Sequence, residues 1–175
     1  MNNRRETLGH SLAWAGLSAL GLLLTAGGAL AQGATFGARS LTPEAALRAA
    51  QAAMQSCAST GFQVSVAVSD RAGHPLVMLR DRLAGPHTTD TAVNKAYTSL
   101  SFKLDTLALA RSSQPGEAVA GIRYLPRVVA VGGGRPIESA GSIVGAIGVS
   151  GAPGGEADDV CARAGIKAIQ DDLDF

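Results

Sequence analysis

The sequence predicts a single α+β domain, in which a five-stranded antiparallel sheet is flanked by helices. Alternation of apolar and polar side chains, as in residues 62–69 (FQVSVAVS), indicates half-buried strands. Turn signals such as residues 70–73 (DRAG) join neighbouring strands closely, as in hairpins. Apolar stripes at helical spacing precede, separate and follow the strands, and this order is typical of helices packed on an antiparallel sheet.

The first helix is predicted to start at Thr42, which can cap it, with Pro43 at its first position and Gly61 as its stop. Its apolar residues recur on the expected inward face: Leu47, Ala50, Met54 and Cys57. The hairpin follows, with strands at residues 62–69 and 76–80. This part of the chain therefore predicts one helix and two strands.

A second helix is predicted to be capped by Thr88 or Thr89 and to bury an apolar stripe. The expected inward residues are Val93, Ala96, Tyr97, Leu100 and Leu104. Lys95 and Thr98 then fall on the opposite, polar face. Asp105 is predicted to cap a further short helix that ends near Arg111.

The C-terminal part predicts three strands and a last helix. The strands cover residues 127–131, 136–139 and 142–150, and glycine-containing turns separate them. One face of the last strand is nearly all small: Val144, Ala146, Gly148 and Ser150. Such a face admits close approach by a helix, another subunit or a planar ligand. The final helix, residues 156–172, is expected to turn these residues inward: Ala157, Cys161, Ala164 and Ala168.

Residues 1–31 have the three parts of a secretory signal in the right order. A basic start at Arg4 and Arg5 precedes an apolar run, and the small-x-small pattern at residues 29–31 (ALA) predicts cleavage after Ala31. Arg4 and Arg5 ahead of Leu8 also resemble a twin-arginine signal, and a membrane anchor is the alternative reading. We expect a signal peptide at 1–31, a tail at 32–40 and one domain at 41–175, in a periplasmic or secreted protein without a stable membrane anchor.

Charge argues against a nucleic-acid partner. The chain has 15 basic and 14 acidic side chains, and cleavage after Ala31 leaves 13 of each on 144 residues. A surface that binds phosphates needs a basic excess, which this composition lacks. Aromatic residues are scarce, and a core of small residues often needs partners or cross-links for stability.

Two cysteines, Cys57 and Cys161, remain after cleavage. In an oxidising compartment such a pair suggests one disulfide, because both residues lie on predicted inward stripes and no third cysteine competes. Two buried free thiols are the alternative.

The segment with the densest chemistry is residues 80–89 (RDRLAGPHTT). Arg80 and Arg82 lie close to a helix start in sequence, and such a combination attracts carboxylates. His87 can ligate a metal, or it can be an ordinary polar loop residue.

Five segments in order resemble the GlcG/HbpS family, over about residues 41–169. They are residues 64–70 (VSVAVSD), 95–98 (KAYT), 132–137 (GGGRPI), 144–152 (VGAIGVSGA) and 161–165 (CARAG). Residues 85–102 are most similar to the secreted, haem-binding HbpS branch. The resemblance implies a profilin-like α/β sandwich and homo-oligomers, often octamers.

The resemblance also implies haem binding, with slow oxidative haem degradation in some members. It implies a haem contact at a threonine of the second helix, which Thr98 matches best. The branch's acidic iron site is matched here only by Glu44, with Gln51 and Gln55 nearby. The implied function is an exported haem-binding protein that degrades haem or buffers iron and feeds a sensor.

The residues themselves are compatible with haem, which requires an apolar slot, cations for the propionates and an axial ligand. The expected walls are Tyr97, Leu100 and Phe102, and the expected cations are Arg80, Arg82 and Lys95. His87 is the expected axial ligand, with Thr98 as the alternative. A rival interpretation is a non-redox oligomeric module that binds a small organic acid or another planar ligand.

Overall fold

The computed structural model describes residues 33–174, so the export signal expected for residues 1–31 lies outside the described residues. The helices are α1 (Pro43–Ser59), α2 (Thr88–Phe102), α3 (Thr106–Ser112), α4 (Gly155–Lys167) and α5 (Gln170–Leu173), with a 3-10 helix at Ala120–Tyr124. The strands are β1 (Ser65–Asp70), β2 (Pro75–Arg80), β3 (Gly134–Ser139) and β4 (Ser142–Ser150). Within residues 33–174, no helix is long and apolar enough to cross a membrane.

The four strands form one antiparallel sheet in the order β2-β1-β4-β3. Two hairpins, β1–β2 and β3–β4, are joined through the central pairing of β1 with β4, so β2 and β3 are the edges. The predicted α+β class is therefore confirmed. The prediction of a fifth strand at residues 127–131 is wrong, because this segment pairs with no strand.

Residues 127–131 run beside α2 instead of joining the sheet. Arg127 has φ of 68°, a left-handed conformation that interrupts an extended strand. The backbone N–H of Val129 donates to Oγ1 of Thr98 at 2.9 Å. In a strand, this N–H would bond to a neighbouring strand, but here it bonds to a side chain of α2. The run of apolar residues that predicted a strand contains no sign of this contact.

One face of the sheet carries the apolar core. Val66, Val68 and Ile147 belong to a buried cluster that includes α1 and α4, and both helices contact the sheet and each other. Cys57 of α1 and Cys161 of α4 form a disulfide between these helices, with their Cα atoms 5.5 Å apart.

The inward face of α1 is formed by small residues: Ala45, Ala46, Ala49, Ala50, Ala53 and Cys57. Leu47, which we expected on this face, is 40% exposed. The reason is the closeness of α4. A Cβ atom on Gly165 would lie 2.6 Å from the carbonyl oxygen of Ala49, so the two helices are in close contact there and a large side chain does not fit at that point.

The opposite face of the sheet is covered by α2, which packs on β1, β3 and β4. A Cβ atom on Gly148 would overlap the carbonyl oxygen of Ala92, and one on Gly134 would overlap the carbonyl oxygen of Lys95. These two glycines are paired across β3 and β4. The small face predicted for β4 therefore admits the backbone of a helix.

Because its backbone lies so close to the sheet, α2 buries small and polar residues. They are Thr88, Ala92, Lys95, Ala96, Thr98 and Ser99. Of the apolar stripe that we predicted, only Ala96 is fully buried, and Val93, Tyr97 and Leu100 are half-buried. The predicted orientation of α2 is thus wrong, because Lys95 and Thr98, which we expected on the polar outer face, are buried.

The predicted last helix is divided into α4 and α5. Its buried face includes Asp158, Asp159, Cys161, Ala162 and Gly165. Cys161 lies inward as predicted, whereas Ala168 is an exposed residue at the C-terminal cap of α4.

Candidate functional site

The loop that leads into α2 is tied to the sheet through Thr88. Its hydroxyl donates to the carbonyl oxygen of Gly85 at 2.6 Å and lies 2.8 Å from Oγ of Ser65 on β1. Thr88 is the first residue of α2, and neither it nor Thr89 is the cap. His87 occupies the cap position and forms no capping bond with its side chain.

The imidazole of His87 is exposed at this helix entrance. A Cβ atom on Gly85 would lie 2.9 Å from Cε1 of His87, so the imidazole ring lies directly beside Gly85. Within residues 33–174, neither ring nitrogen of His87 forms a hydrogen bond or an ion pair. An imidazole without such a partner can offer a ring nitrogen to a ligand.

A cavity of about 280 Å³ opens beside His87, between the start of α2 and the loop that connects β4 to α4. Its lining includes His87, Thr91, Lys95, Val131, Ser150, Ala152 and Asp158. We call this the α2-entrance cavity. Its volume is slightly below the range of ligand pockets, which is about 300 to 1,000 Å³.

The inner wall of the α2-entrance cavity is a buried ion pair. Nζ of Lys95 donates to Oδ2 of Asp158 at 2.7 Å and to the carbonyl oxygen of Val149 at 2.9 Å. Oδ1 of Asp158 accepts from the backbone N–H of Ala152 at 3.0 Å. The Lys95 and Asp158 side chains are only 2% and 4% exposed.

Burial shifts both members of this pair towards their neutral forms. Desolvation lowers the pKa of Lys95, and the adjacent Asp158 carboxylate opposes that shift. Desolvation likewise raises the pKa of Asp158, against the effects of Lys95 and of backbone N–H groups. The pair thus joins α2, β4 and α4, at the desolvation cost that buried charges carry.

Of the three cations that we expected to meet propionates, Lys95 does not reach the surface, and that expectation is corrected. Its ammonium group is held by Asp158 and Val149. Arg80 is exposed, and its guanidinium donates to the carbonyl oxygen of Ala84 in the same loop. Arg82 is exposed, and its side chain has no partner among the described residues.

Tyr97 and Phe102 line a second cavity of about 400 Å³, together with residues 125–128. The guanidinium carbon of Arg127 lies 3.9 Å from the centre of the Tyr97 ring, a cation–π contact. At 1.5 Å per residue, Phe102 lies about 22 Å from His87 along the helix. The single slot that we expected is therefore divided into two cavities, and Leu100 lines neither of them.

Thr98 does not face a cavity either. The residue is fully buried, and its hydroxyl donates to the carbonyl oxygen of Asn94 at 2.7 Å. Oγ1 of Thr98 also accepts the backbone N–H of Val129, so Thr98 holds residues 127–131 against α2. The expected haem contact at Thr98 is thus corrected to a structural hydrogen bond.

Sequence reasoning missed two residues that shape these cavities, Asp158 and Arg127. Asp158 lies on the predicted last helix beside a second aspartate, close to a Gly-rich loop. Two acidic residues at such a position could have indicated a functional carboxylate. Arg127 was assigned to a strand. No local pattern indicated that it would cover Tyr97.

Comparison with known proteins identifies a family and a curated relative that are similar to this chain. Residues 41–167 match the family described as haem degrading protein HbpS-like. An uncharacterized 15.0 kDa protein from the dhaT-dhaS intergenic region of Citrobacter freundii is 34% identical over 113 residues, which are 63% of this chain and 80% of that protein.

Solved structures agree with this match. The crystal structure of HbpS is 38% identical, with a TM-score of 0.73 over 78% of this chain and 94% of HbpS. A double mutant of Streptomyces reticuli HbpS is 35% identical, with a TM-score of 0.73 over 93% and 99%. The complex of PduOC with heme is 29% identical, with a TM-score of 0.70 over 74% and 95%. With its sheet and helices arranged as in these structures, the chain belongs to the HbpS-like family.

Proposed function

We propose that this protein binds haem at the α2 entrance, with His87 as the axial ligand. The observation that carries the proposal is the exposed imidazole of His87, whose nitrogens have no partner among residues 33–174, beside a cavity. Family membership supports it, and so does the PduOC–heme complex, a relative that holds this ligand.

The surroundings of His87 fit the other requirements of a porphyrin. Leu83, in the same loop, is 75% exposed, and Val131 in the cavity wall is 47% exposed. Apolar side chains of this kind can contact the ring faces of a planar ligand. The free guanidinium of Arg82 is a cation that can meet a propionate.

When bound, haem supplies redox-active iron, and the chain supplies its orientation and surroundings. His87 would supply an imidazole nitrogen to the iron from the entrance of α2. The exposed Arg82 would meet a propionate carboxylate.

One protomer offers only part of the enclosure. The α2-entrance cavity measures about 280 Å³, slightly below the lower limit of about 300 Å³ for ligand pockets. We therefore propose that a second copy of the chain completes the site. Exposed Tyr124 and Leu125, at 89% and 51%, are apolar surface that such an assembly covers. Light scattering tests this: a mass several times that of one chain, up to an octamer, is expected, and a clean monomer at micromolar concentration contradicts it.

We also propose that the protein works outside the cytoplasm. The signal pattern at residues 1–31 supports export. The Cys57–Cys161 disulfide is compatible with an oxidising compartment. The intact mass of the exported protein should correspond to a chain that begins at Gln32. A mass that includes residues 1–31 contradicts cleavage.

The decisive experiment is a haemin titration followed by visible absorption. We expect a Soret shift that saturates at a fixed ratio, with loss of the ligated spectrum in His87→Ala. His74→Ala is the matched control, because His74 is an exposed histidine of the β1–β2 turn that does not line the α2-entrance cavity. A broad change that never saturates supports the organic-acid module instead, and a silent His87→Ala misplaces the site.

Degradation and iron release are separate steps of the proposal. Adding a reductant to the haem-loaded protein in air should bleach the Soret band slowly and release iron that a chelator detects. A stable Soret band under these conditions contradicts haem degradation and iron release to a sensor. It does not contradict haem binding.

A further inference from the structure

A cavity of about 720 Å³ lies along the free edge of β3, between the α2–α3 turn and the C-terminal half of α4. None of its lining residues lines the α2-entrance cavity. We call it the β3-edge cavity. Its charged lining residues include four cations and two anions: Lys103, Arg135, Arg163, Lys167, Asp105 and Glu138.

Arg135 is fixed in this cavity by a buried carboxylate. Its Nη1 donates to both oxygens of Asp159, at 2.9 and 3.2 Å, and the Asp159 side chain is only 1% exposed. Asp105 lies 3.8 Å from the same nitrogen. All these contacts use Nη1, so the donors on Nε and Nη2 are not engaged by any residue between 33 and 174. A guanidinium held in this way presents a ready fork to a carboxylate or phosphate.

Two lysines flank Arg135 without partners. Lys103 follows α2 and Lys167 ends α4; both are exposed, and neither forms an ion pair within the described part of the chain. Cations at helix C-termini stabilise the helix dipole, and that role alone accounts for two lysines. It does not account for their convergence, with the unengaged donors of Arg135, on one cavity.

The edge of β3 itself disfavours an added strand. Pro136 has no backbone N–H, and the β3–β4 register shifts between Ile137 and Glu138. Leu104, Pro136 and Ile166 give the cavity an apolar surface next to its cations. The occupant that fits these features is a small molecule with a carbon skeleton and several negative groups.

We propose that the β3-edge cavity binds a small organic acid with two or more carboxylates. One carboxylate meets the unengaged fork of Arg135, and Lys103 and Lys167 meet the others. The carbon skeleton contacts Ile166 and Leu104. The β3-edge cavity shares no lining residue with the α2-entrance cavity, so this proposal does not depend on haem binding.

Isothermal titration calorimetry of the purified protein with citrate, succinate and inorganic phosphate tests the proposal. We expect saturable binding of citrate at one site per chain. The double variant Lys103→Ala/Lys167→Ala should bind about tenfold more weakly, because each exposed pair contributes up to roughly a fivefold factor. Arg135→Lys keeps a cation beside Asp159 but loses the fork, and it should also weaken binding.

Arg111→Ala is the matched control, because Arg111 is exposed near the end of α3 and lies outside the cavity lining. Haemin titration of the Lys103→Ala/Lys167→Ala variant should be unchanged, so failure of one site is distinguishable from failure of the other. The proposal is overturned if no acid binds saturably, or if the variants and Arg111→Ala bind citrate equally well. Phosphate binding as tight as citrate binding overturns the assignment to an organic acid.

Discussion

The two faces of the sheet are built in opposite ways. The face under α1 and α4 is apolar, with valines and isoleucines against alanines and one disulfide. The face under α2 is covered by a helix that buries threonines, a serine and Lys95. Both faces exclude water, but the first does so with groups that need no partner, and the second requires a hydrogen bond for nearly every buried polar group.

This difference predicts that the two faces tolerate mutation differently. The apolar face can vary in side-chain detail as long as its volume is kept. The α2 face depends on a few directional contacts, and the cavity beside His87 lies at its end. On the apolar face, apart from the disulfide, the loss of stability should therefore follow the change in side-chain volume. On the α2 face it should depend on which directional contact the mutation removes.

The largest expected effect is loss of the disulfide that ties the apolar face together. Its cysteines are 104 residues apart. Constraining a loop of this size lowers the entropy of the unfolded chain, so Cys57→Ala/Cys161→Ala should reduce the free energy of unfolding by about 4–5 kcal/mol. Urea unfolding measures this change. A melting temperature of the native protein that is indifferent to reductant, with two free thiols after denaturation, contradicts the bridge.

On the α2 face, Asp158→Ala should reduce the free energy of unfolding by about 3 kcal/mol, because it leaves the Lys95 ammonium buried without its partner. The matched control is Asp172→Ala, which breaks the exposed ion pair with Arg48 and should cost less than about 1 kcal/mol. Equal losses in the two variants would show that the buried Lys95–Asp158 pair contributes no more to stability than the exposed pair does.

The Asp158→Ala variant should also gain stability as pH rises. Desolvation holds the pKa of folded Lys95 below its ordinary value of 10.5, and the variant loses the carboxylate that opposes this shift. Between the two pKa values the unfolded chain binds more protons, so the free energy of unfolding increases with pH in that window. Urea unfolding at several pH values measures the slope, and a flat or falling profile contradicts this assignment.

A smaller effect is expected where α2 approaches the sheet. Gly148→Ala places a methyl group against the Ala92 carbonyl, so α2 must move outward, at a cost of about 2 kcal/mol. Gly121→Ala is the control, because its Cβ would meet nothing within 4 Å. A neutral Gly148→Ala would mean that α2 can shift freely on this face.

The smallest effect concerns Thr98. Thr98→Val keeps the volume but leaves the Val129 N–H without its acceptor, and it should reduce the free energy of unfolding by about 1 kcal/mol. Ser101→Ala removes an exposed hydroxyl that bonds only within α2, and it should have little effect. If Thr98→Val is neutral for stability yet abolishes haem binding, Thr98 is a ligand contact after all.

Local patterns predicted the elements well, because their causes are local. Thr42 accepts the N–H of Ala45, and Asp105 accepts the N–H of Ala108, as helix caps do. Alternation located β1, and the DRAG turn located its partner β2. The sequence singled out residues 80–89 as the segment with the densest chemistry, and this stays a prediction; it could not show which of the side chains in this segment are exposed.

The sequence by itself determined the α+β class, the hairpins and the cysteine positions, since periodicity, caps and turns act over a few residues. Only the tertiary structure decided that α2 buries Lys95 and Thr98 against the sheet, that residues 127–131 join no strand, and that Tyr97 and Phe102 line a second cavity. The physical reason is distance along the chain. Lys95 is buried because its partners Val149 and Asp158, which are 54 and 63 residues further on, are brought to it by the fold.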